Sequence, residues 1–397
     1  LRKETVDLAL QQEITNPAVR RKLEVRQELS KTSVKKYNAM AAAVCLDDRV
    51  RGTLQFYGAN RTGRWSGRII QPQNLPRTHL SAIELARALV KSEKIDTLQL
   101  IYGSVPNTLS QLARTALIAS PGKAFVDADF AAIEARVIAW LAGEEWVLDV
   151  FRTHGKIYEA TASQMFGVPL EKIVKGEPEY ELRQRGKVAT LALGYQGGAN
   201  ALTTMDTAHA IPDDDKPALV RLWRDANPAI VSFWYDVEDA AVSTLQDGNP
   251  RTVRGIGFSL EGHSEDEMLF LAIHLPSGRS LLYPQPFLAS NRFGKPSLHF
   301  MGSDQITKKW GVQETYGGKL VENITQAVAR DCLAQAIENL EAAGYPVVFH
   351  VHDEVICEVM PGTALDAVIQ VMAQPIFWAP GLPLAADGWV GAFYTKD

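Results

Sequence analysis

The chain has 397 residues, 46% of them hydrophobic and 22% charged, with a net charge of −5, and it can bury the cores of two or three domains. No apolar run approaches the roughly 18 residues that span a bilayer, and the N-terminus lacks the apolar stretch of a signal peptide, so we expect a cytoplasmic protein without membrane contact. Cys45, Cys332 and Cys357 form no CxxC pair, which argues against a disulfide framework and against a zinc site.

The first half of the chain predicts helices around a strand and a loop. We expect a helical segment at 1–45, a strand at 50–57, a loop rich in Gly, Pro, Asn and Arg, helical periodicity over 81–117, and a strand at 124–130 followed by a helix that ends near Gly143.

The second half predicts a helical block and then mixed structure. We expect helices over most of 144–244, short strands over 251–285, a loop, a long helix at 318–343, a strand pair around His352, a helix at 363–372 and a tail. The pattern indicates an α+β fold, with a sheet assembled from distant parts of the chain and a helical block between them.

Charge is unevenly distributed along the chain. Residues 1–120 hold 19 Lys and Arg against 10 Asp and Glu, whereas the remainder holds 22 against 36. Six arginines occur in 49–77 without any Asp or Glu, namely Arg49, Arg51, Arg61, Arg64, Arg68 and Arg77. Such a tract suits contact with polyphosphate, although a solvated loop with spare arginines is the commoner explanation when a stretch like this stands alone.

The segment VDADFAAIEARVIAWLAG, at 126–143, carries carboxylates where a strand ends and a helix begins. Asp127 and Asp129 lie two residues apart, so they face the same side of the strand, and spacing alone cannot choose between them. A buried strand has no structural need for Asp at its exit. Carboxylate oxygens are the ligands that Mg²⁺ prefers, and two ions about 3.5–4 Å apart recur in phosphoryl transfer.

A second acidic segment, FHVHDEVICEV at 349–359, has apolar runs on both sides of His352, Asp353 and Glu354. This pattern predicts a hairpin with those three residues at its tip. A tight acidic hairpin is often only a solvated turn, so this segment indicates a metal site only in combination with the segment at 126–143.

Between the two acidic segments, Arg183, Lys187, Leu191 and Tyr195 recur every four residues in ELRQRGKVATLALGYQGG. On a helix these positions form one stripe, with cations that can grip phosphates and a surface for a base. An ordinary amphipathic helix with basic residues on its wet face is the alternative. We expect the helix to end at 197–198, where glycines can adopt a left-handed C-cap.

Five segments in this order resemble the family A DNA polymerases, the group of bacterial DNA polymerase I and many phage enzymes. They are TGRWSGRIIQPQNLPR, DFAAIEAR, RQRGKVATLALGYQGG, YGGKLVENITQAVARDCL and HVHDEVICEV. The sequences YGGKLVENITQAVARDCL and FVDADFAAIEARVIAW are more similar to phage-encoded or prophage members, so the expected location is the cytoplasm of a host.

The resemblance implies a right-hand polymerase fold with an antiparallel palm sheet, helical fingers and a truncated thumb. The implied domains are partial thumb helices at 1–45, palm at 46–143, fingers at 144–290 and palm again at 291–397. Since the chain begins with Leu, we expect a fragment or a processed product. No exonuclease domain is expected within it, and a short thumb implies a weak grip on duplex DNA.

The resemblance also assigns the metal site. In the family's first motif the metal-binding Asp precedes a Glu by five residues, which fits Asp129 and Glu134. Asp129 and Asp353, with the main-chain carbonyl of Phe130, would then hold two Mg²⁺ ions, and Mn²⁺ can substitute. Glu354 would be a nearby accessory carboxylate.

Further roles follow for the incoming deoxynucleoside triphosphate. By resemblance, Arg183 and Lys187 bind its phosphates, Lys187 also supplies a proton to the pyrophosphate, and Tyr195 packs by the templating base. Glu134 is similar to the gate that excludes a ribose 2′-hydroxyl.

Two positions depart from the family. Leu191 replaces the usual Phe or Tyr, so an aromatic contact to the nucleotide is lost, and Tyr158 replaces a phosphate-binding His. We expect Leu191 to affect the rate and fidelity of incorporation and the acceptance of chain terminators, whereas Tyr158 can offer a hydroxyl but no positive charge.

The DNA contacts implied by the resemblance lie on three segments. Arg64, Gln326 and His352 resemble contacts to the primer end and the minor groove, while Asn74 and Arg77 lie in the loop that follows the duplex backbone. Minor-groove acceptors are common to every correct pair, so such contacts check geometry without reading sequence. We expect a monomer that binds primer-template DNA; its replisome partners are not predicted.

The main hypothesis is therefore a template-directed DNA polymerase. A single-subunit RNA polymerase shares the two carboxylates but lacks a gating Glu, so Glu134 argues against it. A two-metal nuclease leaves the helix with Arg183 and Lys187 unexplained, and an inactive DNA-binding replication protein has no need of an intact site.

Overall fold

The computed structural model describes residues 5–6, 9–10, 14, 16–29, 34–207, 209, 211–262, 269–290, 294, 296–304 and 307–395. Its first part contains short helices and a two-stranded antiparallel sheet. These elements are α1 (Pro17–Leu29), α2 (Lys35–Ala43), β1 (Leu54–Ala59), β2 (Arg64–Gly67), α3 (Ile83–Lys91), α4 (Ile95–Tyr102) and α5 (Val105–Leu112).

A strand and a helix lead from this part into the helical block. They are β3 (Ala124–Phe130) and α6 (Ile133–Ala142), followed by α7 (Glu145–Thr153), α8 (Ile157–Phe166), α9 (Leu182–Leu193), α10 (Ala199–Met205), α11 (Lys216–Ala226) and α12 (Pro228–Asp247). Among the residues that the structure describes, no helix combines the length and the apolar character needed to cross a bilayer.

Two antiparallel sheets follow, and then the elements that return to β3. The first sheet contains β4 (Arg251–Val253), β5 (Ile256–Glu261), β6 (Phe270–His274) and β7 (Ser280–Pro284), and the second contains β8 (Phe287–Ser290), β9 (Pro296–Ser303) and β10 (Trp310–Thr315). The remaining elements are α13 (Gly317–Ala342), β11 (Val347–Val351), β12 (Glu354–Val359), α14 (Leu365–Met372) and β13 (Ala386–Gly391).

The sheet that carries both acidic segments has the strand order β11-β12-β3-β13 and is antiparallel throughout. Alternation along β3 divides its side chains between two faces. Val126, Ala128 and Phe130 enter the main core together with residues of α6 and α13, and the opposite face carries the carboxylates. The predicted strand at 124–130, the helix after it, the long helix and the hairpin are confirmed.

Several expected boundaries are corrected by the structure. The first strand begins at Leu54 rather than at residue 50, and the helical segment at 81–117 is divided into α3, α4 and α5. The breaks fall at Glu93 (φ 57°) and Gly103 (φ 77°), whose left-handed backbone ends a helix.

Two stretches that we expected to be irregular are strands instead. The loop expected before the long helix contains β9 and β10, and the expected tail contains β13, which pairs with β3 from Ala386↔Phe130 to Gly391↔Phe125. The palm-like sheet therefore gains its fourth strand from residues 386–391.

The expected C-cap at 197–198 is wrong. Helix α9 ends at Leu193, and the left-handed residue that follows is Gln196 (φ 63°). A Cβ on Gly197 would lie 2.1 Å from the carbonyl oxygen of Ala192, so this glycine permits close packing rather than a left-handed turn. Tyr195 consequently lies just beyond the helix.

Candidate active site

A row of three carboxylates crosses the central sheet. In the strand register Asp129 of β3 lies opposite Glu354 of β12 on one side and opposite Asp387 of β13 on the other. Asp353 lies in the β11–β12 turn, where its main-chain oxygen accepts a 3.1 Å hydrogen bond from the N–H of Phe130. The fold thus brings the two predicted metal ligands, which are far apart in the chain, next to each other.

Burial distinguishes the two aspartates of β3. Asp127 is only 3% exposed and lies opposite Ile356 and Trp389, inside the sheet. Asp129 is partly exposed at the end of the strand. An ion from solvent can therefore reach Asp129 more readily than Asp127.

Glu354 is 1% exposed and belongs to a buried polar chain. Burial, and next the Glu354 carboxylate that hydrogen-bonds it, raise the pKa of the Tyr394 hydroxyl. That hydroxyl accepts a 2.6 Å hydrogen bond from Arg114 Nη1, and Arg114 Nη2 donates to the Leu75 carbonyl at 2.7 Å. Arg114 and Tyr394, which the sequence did not single out, thus connect the acidic turn to the 72–77 loop.

Two cavities meet at the acidic turn. The α9 cavity, about 350 Å³, is lined by the predicted nucleotide contacts Tyr158, Leu191 and Tyr195 together with Glu134 and Asp353. Leu191 is 48% exposed there, so an aliphatic surface faces the space where the resemblance places a base.

The β2 cavity, about 330 Å³, lies on the other side of the turn. Its lining includes Arg64, Arg77 and His352, and again Glu134 and Asp353. His352 adopts a left-handed backbone (φ 57°) that directs the turn between the two strands. The two cavities thus share Glu134 and Asp353.

Glu134 is held from both sides. Its Oε1 contacts Arg64 Nη2 in an ion pair, and its Oε2 accepts a 3.0 Å hydrogen bond from the Tyr195 hydroxyl. Burial, and next the Glu134 carboxylate, raise the pKa of Tyr195 well above its usual range, so the hydroxyl remains a donor at neutral pH. The side chain of Glu134 is therefore fixed at the boundary of the two cavities.

The cations of α9 surround an aromatic ring on α8. Arg183 lies 5.4 Å and Lys187 6.0 Å from the ring centroid of Tyr158. The helices approach closely at Gly186, where a Cβ would lie 2.2 Å from the Tyr158 carbonyl oxygen. Arg183 Nε also donates to Glu159 at 2.7 Å. Within the described part of the chain, Lys187 has no ion-pair partner.

The predicted DNA contacts do not all fall in one place. Arg64, Arg77 and His352 line the β2 cavity, and Gln326 lines a separate groove that Arg64 also reaches. Asn74 is exposed and donates to Gln71 at 3.2 Å. Its neighbour Gln73, which the sequence reasoning did not select, lines the cavity instead, because successive residues of the 3₁₀ turn Pro72–Asn74 point in different directions.

His350 is a buried histidine in the wall of the β2 cavity. Its ring meets the edge of Trp65 at a centroid distance of 4.6 Å. Burial, then Arg330 and His352, lower the pKa of His350 to about 4. The side chain is consequently neutral at pH 7.

The free energy of unfolding should therefore fall on acidification. An unfolded His takes up its proton near pH 6.5 and the native one only near pH 4, so stability is lost as the pH falls through this window. The loss amounts to about 2 kcal/mol between pH 7 and pH 5. Urea unfolding of the native protein and of His350→Gln at both pH values tests this, and equal pH dependence in the two would contradict it.

The donors at the acidic turn suit a hard cation. The carboxylates of Asp129 and Asp353 and the carbonyl of Phe130 are all oxygen ligands. No group of three or more His, Cys, Asp or Glu side chains in the described segments could hold an ion alone. Mg²⁺ is commonly held by one or two carboxylates completed by substrate phosphates and water, so this donor set fits.

The site thus combines an antiparallel sheet that carries carboxylates with a cationic helix whose cavity reaches Asp353. The family model for DNA polymerase family A matches residues 3–242. A DNA polymerase of Bacillus phage SP02 is 52% identical over 383 residues, covering 96% of this chain and 58% of the phage protein. The thermostable DNA polymerase I of Thermus thermophilus is 34% identical over 116 residues, covering 29% of this chain and 13% of the relative.

A solved structure matches the fold over nearly the whole chain. It is the POL domain of Pol1 from M. smegmatis in complex with DNA primer-template and dNTP, with a TM-score of 0.62 at 18% identity, covering 99% of this chain and 56% of the other. The chain belongs to DNA polymerase family A. It spans 58% of the length of its phage relative. The predicted family and the α+β polymerase fold with an antiparallel sheet are confirmed.

Proposed function

We propose that this chain is a template-directed DNA polymerase that adds deoxynucleoside triphosphates to a primer 3′-hydroxyl. The observation that carries the proposal is the meeting of two cavities at Glu134 and Asp353. Nucleotidyl transfer needs a nucleotide and a primer end on either side of one metal centre, and this arrangement offers a space for each.

Asp129, Asp353 and the carbonyl of Phe130 would hold two Mg²⁺ ions, and Mn²⁺ would substitute for them. When bound, the ions lower the pKa of the primer hydroxyl and neutralise charge on the triphosphate. The partial exposure of Asp129, against the burial of Asp127, supports this choice of ligand. Glu354 would be an accessory carboxylate, and its hydrogen bond with Tyr394 holds it within the sheet.

The α9 cations would bind and neutralise the triphosphate. Lys187 is available to do so, and Arg183 must exchange its bond to Glu159 for a phosphate oxygen. Lys187 would also donate a proton to the departing pyrophosphate. Tyr158 offers a hydroxyl but no charge at the same place, and Tyr195 would pack by the templating base.

The domain assignment is part of the proposal. Residues 1–45 would supply partial thumb helices, 46–143 and 291–397 the palm, and 144–290 the fingers. The return of β11, β12 and β13 to β3 supports a palm built from both ends of the chain. Primer-template DNA and deoxynucleotides would be the ligands of a monomer in a host cytoplasm.

Primer extension tests the proposal. The purified chain is incubated with a primed template, Mg²⁺ and either deoxynucleotides or ribonucleotides. We expect templated extension with deoxynucleotides. Extension with ribonucleotides alone would favour the RNA polymerase alternative. Degradation of the primer would indicate a nuclease. Absence of any reaction with both deoxynucleotides and ribonucleotides would contradict the proposed polymerase activity.

Removing the Glu134 side chain should admit ribonucleotides. In Glu134→Ala we expect the ratio of ribonucleotide to deoxynucleotide incorporation efficiency to rise about 10- to 200-fold, the range typical of exclusion by size. Single-turnover incorporation of matched nucleotides measures it.

Glu134→Gln is the matched control for this gate. It keeps the size of the side chain but removes the charge that pairs with Arg64, so exclusion should persist. An unchanged ratio in Glu134→Ala would remove Glu134 from this role.

A further inference from the structure

A third cavity of about 800 Å³ forms a groove beside the proposed active site. One wall is the turn between β1 and β2, with Asn60 and Arg61, and the other is the β9–β10 hairpin, with Phe300 and Trp310. Gln326 of α13 lies in its floor. The groove is larger than either cavity at the acidic turn.

Arg64 joins this groove to the active site. It lines the groove on one side and the β2 cavity, which Asp353 also lines, on the other. A polymer that reached the β2 cavity would therefore have further space beyond Arg64, in the groove. The minor groove of B-DNA is about 6 Å wide, so one arginine can separate two such strands.

Main-chain pairing and side-chain hydrogen bonds stabilise the β9–β10 hairpin that forms one wall of the groove. Strands β9 and β10 pair over six residues, from Trp310↔Ser303 to Thr315↔Leu298. Asp304 Oδ1 closes the turn by accepting hydrogen bonds from the N–H of Thr307 at 2.7 Å and its hydroxyl at 2.9 Å. These bonds hold Asp304 and Thr307, the described residues of this turn, together.

Two contacts also anchor the hairpin to the rest of the molecule. The ring of Phe300 packs edge-on against Tyr283 at a centroid distance of 4.9 Å. Arg61 donates to Gln313 at 3.4 Å and lies 6.0 Å from the Phe300 ring. The two walls of the groove are thus in direct contact.

The exposed chemistry at the hairpin tip suits a nucleic-acid strand. Lys308, Lys309 and Trp310 are consecutive and exposed, and Trp310 is 63% exposed. Lysines neutralise phosphates, and an exposed indole can stack on a base. Of the carboxylates in the groove, Asp304 is engaged in the turn and Glu322 pairs with Lys319 at 2.8 Å.

We infer that this groove binds the template strand, with Lys308 and Lys309 at its phosphates and Trp310 packed on a base. The inference rests on the proposed function, since it takes the β2 cavity as the place of the primer end. The primer then occupies one side of Arg64, and the complementary strand lies on the other, between Gln326 and the hairpin.

Binding of a fluorescent primer-template, followed by anisotropy at several salt concentrations, tests the inference. In Lys308→Ala/Lys309→Ala the slope of log K against log salt should become shallower by about 2, because two phosphate contacts are lost. Trp310→Ala should weaken binding about 5- to 100-fold at constant slope. Lys91→Ala/Lys94→Ala, an exposed pair on another segment, is the matched control.

Uncharged methylphosphonates identify the strand. When they replace phosphates of the template, the lysine variant should lose its defect relative to the native protein, whereas the defect should persist when they are in the primer. The reverse pattern would overturn the assignment to the template. Unchanged affinity in both variants would overturn the site itself. That result is expected if the hairpin binds a protein instead of DNA.

Extension at saturating DNA separates this inference from the proposed function. Both variants should still extend the primer there, but they should need more DNA than the native protein to reach half of their maximal rate, because the three residues would contact DNA outside the cavities at Asp353. If the native protein fails to extend any primer, the proposed function fails, while the binding and methylphosphonate measurements still decide on the groove.

Discussion

Replacing Asp129 or Asp353 with Asn should lower the rate of primer extension by at least about 10³-fold, since an ion's charge stabilisation is worth several kcal/mol. Affinity for primer-template should change by less than about twofold, because most of that affinity comes from contacts to the phosphate backbone. Single-turnover extension and anisotropy measure the two quantities on the same preparation. Equal losses of rate and affinity would indicate a role in binding DNA instead.

Asp127→Asn is the control for this result. Asp127 lies on the same face of β3, two residues from Asp129, but is 3% exposed. We expect its replacement to affect stability while folded molecules keep their rate. A folded Asp127→Asn protein that is as inactive as Asp129→Asn would show that the wrong carboxylate has been assigned.

Lys187→Ala should give the second large effect, a fall in the maximal rate of about 10²- to 10⁴-fold, the range for loss of a positioned proton donor. The apparent Kd for the nucleotide should also rise, because a phosphate contact is removed. Lys187→Arg should recover the affinity more than the rate, since a guanidinium keeps its proton. Rapid-quench incorporation over a range of nucleotide concentrations separates the two.

Arg185→Ala is the matched control on the same helix. Arg185 lies two residues away, on a different side of α9, and pairs with Asp215 at 3.7 Å. Its loss should leave the rate nearly unchanged. A comparable fall in Arg185→Ala would mean that the helix responds to any loss of positive charge, and Lys187 would have no special role.

The elements predicted well from the sequence are those whose signal is local. Strand β3 has an apolar run with a clear end, and the β11–β12 hairpin has apolar runs on both sides of a polar tip. Strand β13, with the sequence ADGWVG, lacks such a run and contains two glycines. A Cβ on Gly388 would lie 2.0 Å from the carbonyl oxygen of Asp127, so the glycine reflects a contact that only the fold reveals.

The candidate site was predictable where the family motifs name residues. The sequence spacing left Asp127 and Asp129 equivalent, and their different burial arises from the register with β12 and β13. Arg114 and Tyr394 carried no signal, because they lie 280 residues apart and each looks like an ordinary residue of its segment. Contacts between residues so far apart in the sequence depend on tertiary structure alone.

Strand β13 is synthesised after every other element of the central sheet. A nascent chain that already contains Asp129, Lys187 and Asp353 therefore holds β3 as an edge strand, with one row of main-chain groups open. The acidic row reaches its full width only when residues 386–391 arrive from the far end of the sequence, a late and non-local event. Polymerase activity and resistance of the sheet to proteolysis should accordingly appear together, at the last stage of folding.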